Sequence, residues 1–225
     1  MTTTIMLRSL VLMMLLAVRM AAQSETAILS RLDQAATKFV AAAANLTWID
    51  HQAVVEVESK QSGTMTVKRY SSTRAHYLVR FTDPDQYAIA LRDDVVERYT
   101  PKNNLIQEYD IKRYRDLAQT LMLLGFGMTG RQLSTSFAIS QVRNETVASQ
   151  KTTHLDLTPK LPDVLRQVSH IELWISDELA CAVQQKFHYP GGSYKLVTFT
   201  NLRLNPKLDS GAMELPRNAK REKVH

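Results

Sequence analysis

Cysteine is nearly absent from this sequence, since Cys181 is the only one among 225 residues. A single cysteine excludes an intramolecular disulfide, and its position far from the amino terminus excludes a lipid-attachment cysteine at an export cleavage site. Cys181 lies in an alternating apolar stretch, where a thiol is more often a packing group than a reactive one. We therefore predict a buried cysteine in a core that forms without disulfides.

Long hydrophobic runs are also missing. The run from Leu10 to Val18 has about ten residues, whereas a membrane-spanning helix needs ~20. Arg8 precedes this run and Met20-Ala21-Ala22 follows it, which is the order of a cleaved export signal. We predict a signal peptide over residues 1–22 and a soluble mature chain that begins near Gln23. An uncleaved membrane anchor is the alternative, because Arg19 lies between the run and the cleavage site.

The sequence lacks the motifs of common enzymes and metal sites. It has no HExxH pattern, and Gly125, Gly127 and Gly130 lack the spacing and the Lys-Ser/Thr ending of a phosphate-binding loop. We predict no catalytic residue, no cofactor and no metal. The histidines of the predicted strands are scattered singly and are interpreted as surface or packing residues: His51, His76, His154, His170 and His188.

The charge is only mildly basic. The formal charge of the whole chain is +6, and removal of Arg8 and Arg19 with the signal lowers it by two. Basic residues cluster only in the tail 217–223, which we interpret as solvated rather than as a nucleic-acid site. Without a linker or an internal repeat, residues 23–225 are predicted to form a single domain.

Residues 25–46 carry apolar side chains at helical spacing. The pattern predicts an amphipathic opening helix, whose apolar face is Ile28, Leu32, Ala35, Phe39, Ala43 and Leu46.

From Gln52 onward the apolar period changes to two, which is typical of strands. We predict turns at Ser62-Gly63, Asp83-Pro84-Asp85 and Asp93-Asp94. The count is about eleven antiparallel strands, a number at which a sheet should curl or close.

A helical insert interrupts the strands between Arg113 and Ser134. Leu117, Leu121, Leu124 and Met128 recur at helical spacing around the glycines, which predicts two short helices joined by a glycine-rich bend. Together with Met122, these soft side chains suit either a core filler or a movable cover over a variable ligand.

Arg69 shares the parity of Met65 and Val67, so a guanidinium points to the same face as two apolar side chains. The position is either at the rim of a core or inside an open cavity, where it would meet a carbonyl, a carboxylate or a helix end.

The chain resembles the LolA family of periplasmic outer-membrane lipoprotein carriers over almost all of the predicted mature sequence. The resemblance is carried by the order of elements and by several strings: VKR at Val67 to Arg69, ERYTP at Glu97 to Pro101, and the terminal hairpins followed by Asn201, Asn205-Pro206 and Glu214-Leu215-Pro216. One departure is Asp93-Asp94, where relatives usually carry Asp-Gly.

The resemblance implies an unclosed antiparallel β-barrel covered by an N-terminal helix and a helical lid. It implies no catalysis, but binding of the acyl chains of lipoproteins and transport from the inner to the outer membrane. The partners would be acylated lipoproteins or lipids, an inner-membrane releasing complex and an outer-membrane acceptor, with transient membrane contact and no nucleic acid. Arg69 matches the arginine that holds the lid closed in the family, with Lys68 and Arg74 as alternatives.

We predict that the lid, Leu117 to Met128, moves off the sheet with the helix that carries Phe39. Other functions on the same fold stay open: carriage of another lipid or glycolipid, envelope sensing or regulation through a partner, and, as a third option, hydrolysis. The predicted cavity residues are Phe39, Val55, Val57, Met65, Val67, Tyr77, Val79, Ile89, Leu91, Leu121 and Met122.

Overall fold

The computed structural model describes residues 25–224. The predicted signal peptide, residues 1–22, lies outside the described residues. The chain opens with a helix, α1, over residues 25–38. Its apolar face buries Ile28, Leu32 and Ala36, as its 3-4 spacing predicts.

The prediction that this helix continues to residue 46 is wrong, because the chain enters a strand at Ala41. The Asn205 side chain accepts hydrogen bonds from the Val40 and Ala41 amides at 2.8 and 3.2 Å and donates to the Lys38 carbonyl at 2.9 Å. These bonds satisfy the backbone at the helix end and fix the change of direction. Leu46, predicted on the helix, therefore lies in the first strand.

Most of the rest of residues 25–224 forms a single sheet of twelve strands. All neighbours pair antiparallel except β12 and β6, which are parallel, and the sheet runs β12-β6-β5-β4-β3-β2-β1-β11-β10-β9-β8-β7. The edge strands β12 and β7 leave the sheet unclosed, which confirms the predicted fold class. The strands are β1 Ala41–Gln52, β2 Val57–Arg69, β3 Ala75–Asp83, β4 Tyr87–Arg92, β5 Val95–Thr100, β6 Leu105–Asp110, β7 Phe137–Val147, β8 Gln150–Pro159, β9 His170–Ser176, β10 Ala182–His188, β11 Tyr194–Leu204 and β12 Lys220–Val224.

The helical insert separates β6 from β7. It consists of α2, Arg115–Leu123, and α3, Gly130–Ser136, which confirms the two predicted short helices. Thr129 caps α3 by accepting a hydrogen bond from the Gln132 amide at 3.0 Å, while the Gln132 side chain accepts one from the Thr129 amide. This reciprocal capping box fixes where the second helix begins. The fourth α-helix of the described residues, α4, is Pro162–Leu165.

The first hairpin turn is displaced from its predicted position. Ser62-Gly63 lies within β2, and the turn lies at residues 53–56. Gly63 sits at an irregularity in the pairing with β3, where an added Cβ would come within 2.0 Å of the Arg80 carbonyl oxygen. Glycine at position 63 therefore allows the backbones of β2 and β3 to approach each other closely and does not form a turn. The predicted turns at Asp83-Pro84-Asp85 and Asp93-Asp94 are confirmed.

A second, smaller core lies on the other face of β3, β4 and β6. Leu215, from the segment that precedes β12, packs there with Leu78, Ala88, Ala90 and Ile106. The Arg80 guanidinium donates to the Ala212 and Glu214 carbonyls at 3.2 and 3.0 Å, which holds this segment against the sheet.

Replacement of Leu215 by alanine tests this docking. Leu215 is 6% exposed, and a buried leucine truncated to alanine typically costs about 2–5 kcal/mol. We expect a loss of about 2 kcal/mol in the free energy of unfolding, measured by urea denaturation. Leu161→Ala is the matched control, because Leu161 is 63% exposed and its loss should stay within about 0.5 kcal/mol. Equal losses would contradict the docking.

Candidate functional site

An apolar cavity of about 250 Å³ lies between one face of the sheet and α2. β4 and β10 both contribute to its wall, although they are five steps apart in the sheet, which is about 24 Å in a flat sheet. The sheet therefore curves around the cavity, which occupies its concave face. The wall is formed by Leu46, Trp48, Met65, Tyr77, Val79, Ile89, Leu91, Leu121, Met122, Phe126, Val168, Gln185, Phe187, Tyr189, Lys195, Val197 and Phe199.

Strand register brings these side chains together. Val79 of β3 pairs with Met65 on one side and with Ile89 on the other, while Trp48 of β1 pairs with Val197. Because paired residues point to the same face, each of these pairs extends the apolar surface from one strand to its neighbour.

Most of the predicted cavity residues lie in this wall. Val67 and Phe39 are buried, but Val67 is outside the wall, and Phe39 lines a neighbouring cleft beside Gly127. The prediction that Val55 and Val57 line the cavity is wrong, because their side chains are 64% and 54% exposed at the first hairpin. The displaced turn moves both away from the cavity. The predicted residues in the wall are Met65, Tyr77, Val79, Ile89, Leu91, Leu121 and Met122.

Backbone carbonyls of the lid are hydrogen-bonded to the sheet. The Gln185 side chain donates to the Leu124 carbonyl at 2.6 Å, and the Ala182 amide donates to the Gly125 carbonyl at 2.8 Å. The Tyr77 hydroxyl donates to the Met122 carbonyl, and burial raises the pKa of Tyr77, so the hydroxyl keeps its proton. Sequence reasoning missed these contacts, because carbonyl acceptors leave no residue-type signal.

Arg69 also contacts the lid. Its guanidinium donates to the Gly127 carbonyl at 3.2 Å and lies 5.7 Å from the centre of the Phe39 ring. The alternatives are engaged elsewhere: Lys68 lies 5.4 Å from the centre of the Tyr70 ring, and Arg74 forms an ion pair with Asp93 at 2.6 Å. Of these three cations, Arg69 is the one that donates a hydrogen bond to the lid.

Few polar groups interrupt the wall. Lys195 forms an ion pair with Asp50, and its ammonium lies 5.9 Å from the centre of the Tyr189 ring. Burial, followed by the charge of Asp50, raises the pKa of Tyr189 to about 12, so this phenol is neutral at physiological pH. Burial also raises the pKa of Cys181 to about 12, which keeps the thiol protonated. The cavity offers an apolar binding surface rather than a nucleophile paired with a base.

The strand histidines are not all isolated from one another. His154, His170 and His188 lie together on the convex face with Asp156 and Glu172, contrary to the prediction of scattered residues. The sequence contained a signal, since His154-x-Asp156 and His170-x-Glu172 place like patterns on adjacent strands.

No helix within residues 25–224 combines the length and the apolar character needed to cross a membrane.

No protein-family model matches the sequence. No curated protein matches it either.

Solved structures match the fold at low sequence identity. An uncharacterized conserved protein from Thermus thermophilus is 10% identical with a TM-score of 0.53, over 88% of this chain and 98% of that one. MucB is 13% identical with a TM-score of 0.53, over 87% of this chain and 64% of MucB. In the MucA/MucB complex from Pseudomonas aeruginosa, the identity is 13% and the TM-score 0.50, over 89% of this chain and 64% of that chain. At these identities the similarity concerns the fold alone.

The observed unclosed antiparallel sheet, with helices across its concave face, is the architecture that the resemblance to the LolA family implies. The fold is therefore LolA-like, and its candidate site is the apolar cavity between the sheet and α2.

Substitution of Gly125 tests how closely the lid packs against β10. Gly125 has φ +78°, and an added Cβ would lie 2.4 Å from the Ala182 Cβ. We expect Gly125→Ala to cost about 1–2 kcal/mol for the left-handed backbone and a further ~1–3 kcal/mol for the clash, measured by chemical unfolding. Gly191→Ala is the control, because Gly191 has φ +85° and no atom within 4 Å of the added Cβ. Equal costs would show that the lid is not packed against β10.

Proposed function

We propose that this protein is a carrier that binds the acyl chains of lipoproteins in its apolar cavity. The observation that supports this most is the continuous apolar wall across β1 to β4, β10 and β11, closed by a lid with soft side chains. Burial of each methylene contributes about 0.8 kcal/mol, so one acyl chain supplies affinity without a specific polar contact.

The lid has to move for such cargo to enter. The cavity volume of about 250 Å³ is below the range of roughly 300–1,000 Å³ that is typical of ligand pockets. The lid is held through hydrogen bonds from the Gln185 side chain, the Ala182 amide and Arg69. Cargo binding then exchanges these bonds for buried acyl surface, which makes binding reversible.

Arg69 acts as a latch in this proposal. Its bond to the Gly127 carbonyl joins β2 to the bend between α2 and α3, and displacement of the bend breaks it. A contact present only in the closed form favours that form and so opposes loading.

The setting of this function is the periplasm, which the predicted signal peptide would allow the chain to reach. The carrier would receive lipoproteins from a releasing complex at the inner membrane and deliver them to an acceptor at the outer membrane. Each exchange requires only transient membrane contact. No catalytic step is part of this proposal.

Envelope sensing through a protein partner is the second candidate. MucB shares the fold and has been solved in complex with MucA, so the same architecture is known in a protein–protein complex. This chain spans 64% of the MucB chain. A carrier of another lipid or glycolipid would use the same wall.

Ligand recovery separates these functions. The untagged protein is incubated with bacterial membranes, reisolated and examined by mass spectrometry. We expect triacylated lipoprotein; free lipid alone would indicate the lipid carrier, and recovery of no ligand would favour the regulatory function.

Val79→Trp should reduce recovery at least tenfold, because the indole would occupy the cavity, whereas Val54→Trp should not, because Val54 is 92% exposed.

The latch is tested by Arg69→Leu. A hydrogen bond from a charged group contributes about 1.5–3 kcal/mol, and its loss favours the open, loaded form. We expect release of a fluorescent acyl probe to slow about tenfold, measured by stopped-flow displacement. Arg74→Leu is the control, because Arg74 pairs with Asp93 and not with the lid. Unchanged loading and release in Arg69→Leu would remove the latch from the mechanism.

A further inference from the structure

A cluster of histidines and carboxylates lies on the convex face of β8, β9 and β10, opposite the cavity. Asp156 pairs with Glu172 across β8 and β9, and His170 pairs with His188 across β9 and β10. Because residues of one parity point to one face, His154 joins this group from β8. One ligand atom each from His154, Asp156 and Glu172 lie within 4.8 Å of one another.

His154 is the buried member of the cluster. Its side chain is 2% exposed, and its ring stacks on Trp174 with centroids 4.3 Å apart and an interplanar angle of 7°. Its Nδ1 atom lies 2.9 Å from Glu145 Oε1. The Trp174 indole donates to the other oxygen of that carboxylate at 2.8 Å, which holds Glu145 in place.

Glu145 determines which nitrogen of His154 carries the proton. An ionised carboxylate only accepts hydrogen bonds, so the contact requires a proton on Nδ1. Arg143 also lies 3.1 Å from Nδ1, but it cannot donate to a nitrogen that already carries hydrogen. In the neutral ring the lone pair is therefore on Nε2.

The Nε2 atom of His154 is buried and makes no hydrogen bond among the described residues. Glu172 Oε2 nevertheless lies 3.2 Å away. A lone pair and a carboxylate oxygen at this separation repel each other unless positive charge lies between them. That charge is either a second proton on the imidazole or a bound cation.

Both neighbouring carboxylates have partners of their own. His170 Nε2 lies 2.7 Å from Asp156 Oδ1, and His188 Nε2 lies 2.8 Å from Glu172 Oε1. The second oxygen of Glu172 faces His154 Nε2, and the second oxygen of Asp156 lies 3.8 Å from the Arg143 guanidinium. A third carboxylate, Glu145, orients His154. Metal-binding histidines and carboxylates in proteins are held by such outer partners.

We propose that this cluster is a binding site for a divalent transition-metal cation such as Zn²⁺. The ligands are His154 Nε2, an Asp156 oxygen and Glu172 Oε2, with water in the remaining positions. One imidazole and two carboxylates form a donor set that suits zinc and manganese better than copper(I), which prefers sulfur. Glu145, His170 and His188 orient the ligands.

The same cluster contains a second triad, His170, Glu172 and His188, around the other oxygen of Glu172. Its histidine side chains are 33% and 28% exposed, and each already has a carboxylate partner. The unsatisfied Nε2 of His154 favours the first triad.

Calorimetric titration of the untagged, chelator-treated protein with Zn²⁺ tests the site. We expect one equivalent to bind, and His154→Asn and Glu172→Gln to weaken binding at least tenfold. Asparagine keeps a donor near the position of Nδ1 while it removes Nε2, and glutamine keeps the shape of Glu172. His188→Asn should weaken binding about tenfold through the outer partner. His76→Asn is the control, because His76 pairs with Asp93 outside the cluster.

Thermal unfolding with and without Zn²⁺ separates ligand loss from misfolding. Zn²⁺ should raise the melting temperature of the wild type, and the rise should disappear in Glu172→Gln while its metal-free melting curve stays cooperative. Absence of binding by the wild type would overturn the proposal. Loss of binding in His188→Asn but not in His154→Asn would overturn the ligand assignment.

Discussion

Each strand of the sheet sends successive side chains to opposite faces, so a residue that packs in the cavity fixes the direction of both its neighbours. On β9, Ile171 and Leu173 enter the main core, and Glu172 between them must face outward. On β3, Val79 lines the cavity while Leu78 packs in the small second core. A shift of one residue in either strand would exchange these faces and destroy both arrangements together.

The lid is attached largely through its backbone. Tyr77, Gln185 and the Ala182 amide donate to lid carbonyls, which have to be satisfied wherever a bend is buried. The lid side chains stay free to line the cavity with apolar atoms. The same bend requires glycine at 125 and 127, since both have positive φ and an added Cβ would lie 2.4 Å from the nearest atom. Attachment of the lid through its backbone thus accounts both for its close packing on the sheet and for the apolar wall of the cavity.

Periodicity predicted the sheet, the helical insert and the part of the cavity wall that β2, β3, β4 and α2 form, because these depend on local alternation and spacing. It did not predict the wall residues of β1, β10 and β11. It failed where a distant residue decided the outcome. Asn205 ends α1 after residue 38 through contacts with residues 38, 40 and 41, which no local pattern reveals. Gly63 suggested a turn, although its small size instead leaves room for the backbone of Arg80. Because the hairpin lies earlier in the chain than predicted, Val55 and Val57 are exposed to solvent. The sequence pattern did not predict that the histidines form a cluster, because their grouping depends on the register of three strands.

The cavity wall and the histidine cluster share one strand, β10, and lie on its opposite faces, which constrains how they influence each other. On β10, Gln185 holds the lid at Leu124, and the next residue, Lys186, lies 3.8 Å from Glu172 on the other face. Side chains of opposite parity share only the backbone between them. Packed sheets resist gradual deformation, so the proposed cation on the convex face and the proposed acyl chain on the concave face would act independently unless β10 itself shifts. Coupling between the two sites therefore has to pass through the position of that strand.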